Sequence, residues 1–166
     1  MTENKHQHLT RLLATFDTGF LMTQGLNGPH ARPLAVARVE GPTVVWFLSS
    51  LISEKVQEIL FDRSVLVTFQ GGDAFVVVRG TASIVDDREA LASLWSEPHR
   101  AWIPKGLDDE TLVAIRVTVD HAEVWDQSGT KGVSYIAESL AASLGGTPPL
   151  DPKGRHEELH PSAGRP

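Results

Sequence analysis

The order of apolar and polar positions along the chain predicts a mainly β fold with peripheral helices. Apolar and polar residues alternate in several runs, as expected of strands with one buried face. The runs are FLMTQ, ARPLAVARVE, TVVWFLSS, SVLVTFQ, AFVVVRGTASIV and TLVAIRVTVDHAEVW. Because these strands come with few helices, we expect six to seven antiparallel strands that close into a small barrel.

Turn-forming residues separate these runs and predict hairpin connections. They cluster at residues 25–29, 41–42 and 71–73, which are rich in glycine and also contain proline, asparagine and aspartate. Such clusters between strand patterns favour reversals of the chain. Gly80 instead lies inside a strand pattern, which indicates a β-bulge or a close approach of another backbone segment.

Helical spacing of apolar residues predicts four amphipathic helices. The first is expected to end at Gly19, the second to be capped by Ser53, and the third to begin with the capping-box pair Asp86 and Glu89. Their apolar stripes are Leu9, Leu12, Leu13 and Phe16; Val56, Ile59 and Leu60; Leu91, Leu94 and Trp95; and Val133, Ile136, Ala137, Leu140 and Leu144.

Length and composition favour one folded domain followed by a tail. The chain of 166 residues is long enough for a substantial core, and residues 1–145 carry the periodic patterns. Residues 146–166 are rich in proline and glycine and show no apolar periodicity, so we expect them to be disordered.

A zinc motif occurs inside that tail. RHEELHP at residues 155–161 contains H-E-x-x-H, which binds zinc when a helix places both histidines on one face. Gly154 and Pro161 flank it, and a helix this short is not stable alone. We therefore predict no metal site there. His30 and His121 have no partner spacing typical of metal ligands and are expected at the surface.

Charge and cysteine content narrow the function classes. The net charge is −6 and the pI is about 5.6, which disfavours nucleic acid or an anionic membrane surface as the main partner. No cysteine is present, which excludes disulfides, thiolate metal sites and a cysteine nucleophile. The N-terminus resembles no signal peptide and no apolar run is long enough to span a membrane, so a cytoplasmic location is expected.

The stretch FLSSLISEKV is the strongest candidate for binding chemistry. A strand ends at Ser49 and Ser50, and a helix follows Ser53 with Lys55 in its first turn. Free backbone N–H groups, the helix dipole, hydroxyls and an ammonium group together suit a phosphate. Arg32, in the preceding strand of the hairpin, could supply a second cation. The alternative is that Ser53 only caps the helix and Lys55 lies in solvent.

The tryptophans divide into two groups. Trp46 and Trp95 fall on core-facing positions and are expected to serve packing. Trp102 lies in an irregular segment and Trp125 ends the last strand pattern. Either could line a pocket, and ordinary packing or a dimer contact is the alternative for both.

The order of several segments resembles the general stress protein 26 branch of the pyridoxamine 5′-phosphate oxidase-like superfamily. The segments are GPHARPLAV, VVWFLSS, LISEKVQEI, VVVRGTASIVDDR, WIPKGLDDETL and AEVWD. The resemblance extends over nearly all of residues 5–130. It implies an FMN-binding split β-barrel of Greek-key topology that forms a homodimer with the flavin at the subunit interface.

The resemblance also implies roles for individual residues at the phosphate of the flavin. Arg32 and Lys55 match positions that bind this phosphate. Ser49, Ser50 and Ser53 match the hydroxyl and backbone donors around it. These are the residues that the strand-to-helix junction indicates independently.

Further matched positions lie along the isoalloxazine ring. Pro33 and Leu34 match the strand beside the ring, and Trp102 and Trp125 match aromatic residues near the cofactor that reach across the dimer. The chain lacks the basic C-terminal segment of the oxidase proper and has a helix and the Pro/Gly tail instead. The sequence therefore does not favour oxidation of pyridoxamine phosphate.

The function implied is that of an FMN-dependent oxidoreductase acting on a small molecule, with a nicotinamide nucleotide, NAD(P)H, as a plausible reductant. The sequence shows no convincing acid or base, and the flavin itself would supply the redox chemistry. One alternative is a module that binds or senses flavin without turnover. Another is a split barrel that binds deazaflavin or haem.

Overall fold

The computed structural model describes residues 5–126 and 155–159 of the chain. These residues form three α-helices, seven β-strands and two short 3-10 helices. In chain order they are α1 (Lys5–Leu13), β1 (Thr18–Gly25), β2 (Gly28–Glu40), β3 (Val44–Ser50), α2 (Glu54–Phe61), β4 (Ser64–Gly71), β5 (Ala74–Val85), α3 (Arg88–Leu94), the 3-10 helices Glu97–Ala101 and Gly106–Asp108, β6 (Leu112–Asp126) and β7 (Arg155–Leu159).

Six antiparallel strands close into a barrel, which confirms the predicted fold class. The strand order is β3-β2-β1-β4-β5-β6, and pairing of β3 with β6 closes the ring. Strands β1 to β3 follow one another through short turns, and β4 returns beside β1. This gives the spatial order 4-1-2-3 of a Greek key. The barrel is therefore a closed, Greek-key split barrel.

The barrel core follows from alternation along the strands. The alternating apolar residues of β6 and β5 are almost completely removed from solvent: Val113, Ile115, Val117 and Val119 on β6, and Val76 and Val78 on β5. A second, smaller apolar cluster joins α3 to the outside of the barrel through Leu91 and Leu94. Trp46 and Trp95 pack against this second cluster, so the prediction that they serve packing is confirmed.

Three local predictions about helices were wrong. The N-cap of α3 is Asp87 rather than Asp86, and its side chain accepts a hydrogen bond from the Ala90 N–H. Leu60 is 56% exposed, because α2 rests on the barrel through Val56 and Ile59 alone. The first helix ends at Leu13, well before Gly19.

The strand β7 lies within the segment predicted to be a disordered tail, so for residues 155–159 that prediction was wrong. The first half of β6 pairs with β3, and β7 pairs with Ala122–Asp126 on its second half. This pairing satisfies backbone groups at an otherwise open edge and buries Leu159 in the barrel core. The extended backbone at His156 also lacks the helical geometry that H-E-x-x-H needs.

The helix predicted over residues 133–144 lies outside the described residues, and the domain boundary at residue 145 stays a prediction. Within the described part of the chain, every helix is too short or too polar to cross a bilayer.

Gly80 occupies a bulge between β5 and β6, as predicted. The pairing register shifts between Arg79 and Gly80. A Cβ added at Gly80 would lie 2.1 Å from the carbonyl oxygen of Thr118, a distance that no side chain tolerates. Only glycine allows the two backbones to approach this closely.

We expect Gly80→Ala to lower the free energy of unfolding by about 2–3 kcal/mol, because the strands must separate to admit the methyl group. Gly71→Ala is a matched control in the same sheet. Its Cβ would meet only the Phe16 ring, at 3.3 Å, and a side chain can shift. Urea denaturation measures both variants, and equal losses would contradict the close-approach argument.

Candidate functional site

A cavity of about 400 Å³ lies where β2, the end of β3, the start of α2 and the first 3-10 helix meet. It is lined by Thr18, Arg32, Pro33, Leu34, Ala35, Leu48, Ser49, Ser50, Ser53, Lys55, His99, Trp102 and Ile103. All of the residues predicted to bind a cofactor are in this set except Trp125. The structure thus brings together side chains that the sequence separates widely.

The junction between β3 and α2 forms the polar end of the cavity. The Oγ atoms of Ser49 and Ser53 lie 3.1 Å apart, and the Oγ of Ser50 lies 2.8 Å from the hydroxyl of Thr111. Ser53 is the N-cap of α2 by position, but its side chain makes no capping hydrogen bond. The alternative that Ser53 only caps the helix is therefore wrong, and its hydroxyl remains directed to the serine cluster.

Lys55 and Arg32 place two positive charges at this polar end. Lys55 is partly buried and lines the cavity, so the alternative that it lies in solvent is also wrong. Burial and then the nearby charge of Arg32 lower the pKa of Lys55 below its ordinary value. Among the described residues, no carboxylate lies within ion-pair distance of Lys55. An anion bound here would relieve an unfavourable concentration of positive charge.

Arg32 is fixed in position by an ion pair with the carboxylate of Glu58, which is only 10% exposed. Its Nη2 donates to Oε2 of Glu58 at 3.0 Å, and its Nη1 donates to the Thr23 hydroxyl and to the His30 carbonyl oxygen. Burial alone would raise the pKa of Glu58. Hydrogen bonds from Thr23, His30 and Arg32 outweigh that effect and hold the pKa below its usual range. Glu58 therefore fixes the guanidinium in place.

Apolar side chains form the rest of the cavity. Pro33 and Leu34 come from β2, Leu48 from β3 and Ile103 from the segment after the first 3-10 helix. Trp102 lies at the mouth and is 79% exposed. The cavity is thus an apolar slot with a cationic, hydroxyl-rich end.

His99 also lines the cavity, and sequence reasoning missed it. It is buried, and its Nδ1 accepts a hydrogen bond from the Ser96 N–H, which closes a capping box at the first 3-10 helix. The spacing of Ser96 and His99 was the one available signal, and it indicates only a helix start. Glu58 and Thr23 were missed as well, and His30, which was expected to be a surface histidine, is 39% exposed and hydrogen-bonded to Glu58.

Trp125 lies outside the cavity within one chain. It is paired with Phe75 of β5 and with His156 of β7, at the far end of β6. Its predicted contribution across a dimer stays a prediction.

Comparison with known proteins identifies the fold family. The sequence profile described as pyridoxamine 5′-phosphate oxidase like matches residues 4–149. The chain belongs to this family. Since the match extends over most of the sequence, the family resemblance predicted from the motifs is confirmed.

Solved structures show the same fold at low identity. A candidate general stress protein 26 from Jannaschia sp. CCS1 is similar with a TM-score of 0.68, at 18% identity over 92% of this chain and 95% of that one. A general stress protein 26 from Bacillus anthracis str. Sterne has a TM-score of 0.65, at 21% identity over 72% of this chain and 92% of that one. A search of curated proteins found no match.

We expect Glu58→Gln to lower the free energy of unfolding by about 1–3 kcal/mol, because it leaves Arg32 without a counter-ion beside Lys55. Glu97→Gln is the control, since it removes the carboxylate of an exposed pair with Arg100 at 2.9 Å. That loss should be clearly smaller than the loss in Glu58→Gln, because solvent screens an exposed ion pair. Urea denaturation measures the free energy of unfolding of both variants. Similar small decreases in the two would show that the ion pair between Arg32 and Glu58 contributes little to stability.

Proposed function

We propose that this protein binds FMN in the cavity and uses it as an oxidoreductase acting on a small molecule. The observation that carries the proposal is that Lys55 and Arg32 lie close together in the lining of a largely apolar cavity. A cavity of about 400 Å³ is large enough for a planar heteroaromatic group that ends in a phosphate. Membership of the pyridoxamine 5′-phosphate oxidase-like family, which commonly binds flavin, supports the same ligand.

The proposed roles follow from the two ends of the cavity. The ammonium of Lys55 and the guanidinium of Arg32 hold the phosphate, with help from the hydroxyls of Ser49, Ser50 and Ser53. The N–H groups of Val56 and Gln57 donate to the Ser53 carbonyl oxygen, which leaves those of Glu54 and Lys55 available at the positive end of the dipole of α2. Pro33 and Leu34 border the ring and exclude water from one of its faces.

Bound flavin supplies hydride and electron transfer, and the protein supplies orientation and electrostatics. Among the described residues lining the cavity, His99 is the one titratable side chain besides the two cations. Its Nδ1 is engaged by Ser96, so its role is to hold the segment that carries Trp102. We propose NAD(P)H as the reductant and an unidentified small molecule as the substrate.

A homodimer would complete this site. Trp102 lines the cavity and is 79% exposed, and Ile52, which lies between the lining residues Ser50 and Ser53, is 78% exposed. Apolar side chains this exposed favour contact with a partner surface. We propose that a second copy covers them and contributes its Trp125 to the flavin.

A module that binds flavin without turnover is the second candidate. The described lining residues include no carboxylate, and the Nδ1 lone pair of His99 is already taken by the Ser96 N–H, so the lining offers no free proton acceptor. Steady-state oxidation of NAD(P)H by the FMN-loaded protein with an added electron acceptor separates the two functions. Turnover supports the oxidoreductase, whereas flavin that is bound yet never reduced supports the binding module. Deazaflavin and haem are the next ligands to titrate if FMN does not bind.

The direct test is to titrate the protein with FMN and to measure binding by the quenching of flavin fluorescence. We expect Lys55→Met to raise the Kd by about 10- to 100-fold, because it removes a charge-assisted bond to the phosphate. The Tm of this variant should not fall, because burial of the Lys55 charge and its repulsion by Arg32 destabilise the folded protein, and the substitution removes both effects. Lys105→Met, at an exposed lysine, is the control and should bind as the unchanged protein does. Failure of the unchanged protein to bind FMN would overturn the proposal.

The affinity for FMN should also depend on pH. The pKa of Lys55 in the free protein lies below its ordinary value of 10.5, and a bound phosphate would raise it again. Binding therefore takes up a proton, and the Kd should rise as the pH rises through the pKa of Lys55. The same titration repeated from neutral pH to pH 10.5 checks this. In Lys55→Met, the Kd should not show the rise that comes from titration of Lys55. An identical dependence of the Kd on pH in the variant and the unchanged protein would contradict this prediction.

A further inference from the structure

A second cavity, of about 360 Å³, lies on the other side of Glu58 from the flavin cavity. It is bounded by the turn between β1 and β2 and by one face of α2. His30 from β2 and both Glu54 and Glu58 from α2 line it, together with the side chains of Gln24 and Asn27. The proposed flavin site uses Glu58 only through Oε2, which holds Arg32, and gives no role to its Oε1, to the ring of His30 or to Glu54.

Three side chains with metal-binding chemistry converge in this cavity. The Nδ1 of His30 lies 2.6 Å from Oε1 of Glu58 and 3.9 Å from Oε1 of Glu54. Their nearest ligand atoms all lie within 4.8 Å of one another. Glu54 and Glu58 are four residues apart on α2, so they project from the same face of the helix towards β2. We propose that His30, Glu54 and Glu58 form a binding site for a divalent transition-metal ion such as Zn²⁺.

The distances suit such an ion. Zinc binds imidazole nitrogen at about 2.0–2.1 Å and carboxylate oxygen at about 2.0–2.2 Å, which puts tetrahedral ligand atoms roughly 3.4 Å apart. The two distances from His30 Nδ1 lie on either side of this value. The ion would replace the proton that His30 and Glu58 share. Glu54 is 75% exposed and can rotate towards it without disturbing the fold.

The surroundings of Glu58 prepare it for this role. Its side chain is only 10% exposed, and Oε2 accepts hydrogen bonds from Arg32 and Thr23. These bonds fix the carboxylate plane and leave Oε1 facing the cavity, as outer partners of metal ligands commonly do. Glu58 would thus act as a ligand through one oxygen and hold Arg32 through the other.

Gly25 leaves room for the ligand atoms. A Cβ at this position would lie 2.7 Å from Oε1 of Glu58 and 2.9 Å from Cε1 of His30. The backbone of Gly25 is not in the left-handed region, so space rather than conformation accounts for the glycine here. A larger residue would displace the two groups that converge most closely.

The ligand set points to a class of ion. One imidazole with two carboxylates suits Zn²⁺, Mn²⁺, Fe²⁺ or Co²⁺, whereas Mg²⁺ and Ca²⁺ prefer oxygen ligands alone. The remaining coordination positions face the cavity, where water or the amide oxygens of Gln24 and Asn27 can complete them. The site is separate from the H-E-x-x-H motif at residues 156–160.

The test uses the full-length protein, freed of metal and titrated with Co²⁺, whose visible absorption reports tetrahedral coordination, and then with Zn²⁺ as competitor. All titrations use protein that carries the substitutions His156→Gln and His160→Gln, which remove metal binding by the H-E-x-x-H motif. We expect saturable Co²⁺ absorption that Zn²⁺ displaces. His30→Gln and Glu54→Gln should each weaken binding by about 10-fold or more.

Glu89→Gln, which removes an exposed carboxylate on α3, is the matched control and should bind Co²⁺ unchanged. Glu54 is exposed as well, so Glu54→Gln should keep its Tm and its loss of binding cannot be attributed to unfolding. Undiminished binding in folded Glu54→Gln would overturn the proposal, as would loss of all saturable binding in the His156→Gln/His160→Gln background. The metal titrations do not involve flavin, so a negative result for the metal site leaves the proposed function untouched, and the reverse also holds.

Discussion

The pairing of β3 with β6 is the constraint on which the rest of the structure depends. It converts an open sheet into a barrel and fixes where β3 ends, because Ser50 is opposite Leu112. The chain must then turn outwards, and α2 begins at that turn with its first N–H groups next to the serines. The barrel closure also holds β2 beside β3, so Arg32 is carried to the same end. The cavity is therefore a product of closure, and Leu34 both lines it and packs against the barrel core.

Helix α2 gives the site its electrostatic character because its faces carry opposite charges. Lys55 lines the first cavity, while Glu54 and Glu58 line the second cavity. Arg32 lies between them and belongs to both sides through its bond to Glu58. The buried carboxylate offsets one of the two cations, so the cavity has less positive charge than its lysine and arginine alone would give. This moderates the repulsion that the fold must tolerate when no anion is bound.

Sequence patterns predicted the features that depend on local order. The strands were visible because burial on one face imposes a period of two, and Gly80 was visible because it interrupts such a run. The serines and Lys55 were visible because a strand end and a helix start adjoin in the chain. Contacts that form only when the barrel closes and the helices pack on it could not be predicted in this way. Glu58 and His30 are 28 residues apart, and only the packing of α2 against the β1–β2 hairpin brings them together.

Two errors have the same physical origin. The composition of RHEEL is poor in residues that favour strands, but an unpaired edge of β6 offers it hydrogen bonds that outweigh propensity. Leu60 fits the helical period, yet the face of α2 that packs on the barrel buries only Val56 and Ile59. In both places tertiary context overrides the local pattern, and the sequence contains no local sign of it.

The strand β7 has a consequence for the synthesis of the protein. Ribosomes make β1 to β6 first, and residues 155–159 emerge later, after residues 127–154. At about 5–20 residues per second, the second half of β6 stays without this neighbour for a few seconds during translation. During that time its free N–H and C=O groups can pair with any extended chain nearby, including a nascent copy on the same polysome. Slow elongation over residues 127–159 would therefore favour co-translational aggregation, whereas rapid elongation over them would protect the chain.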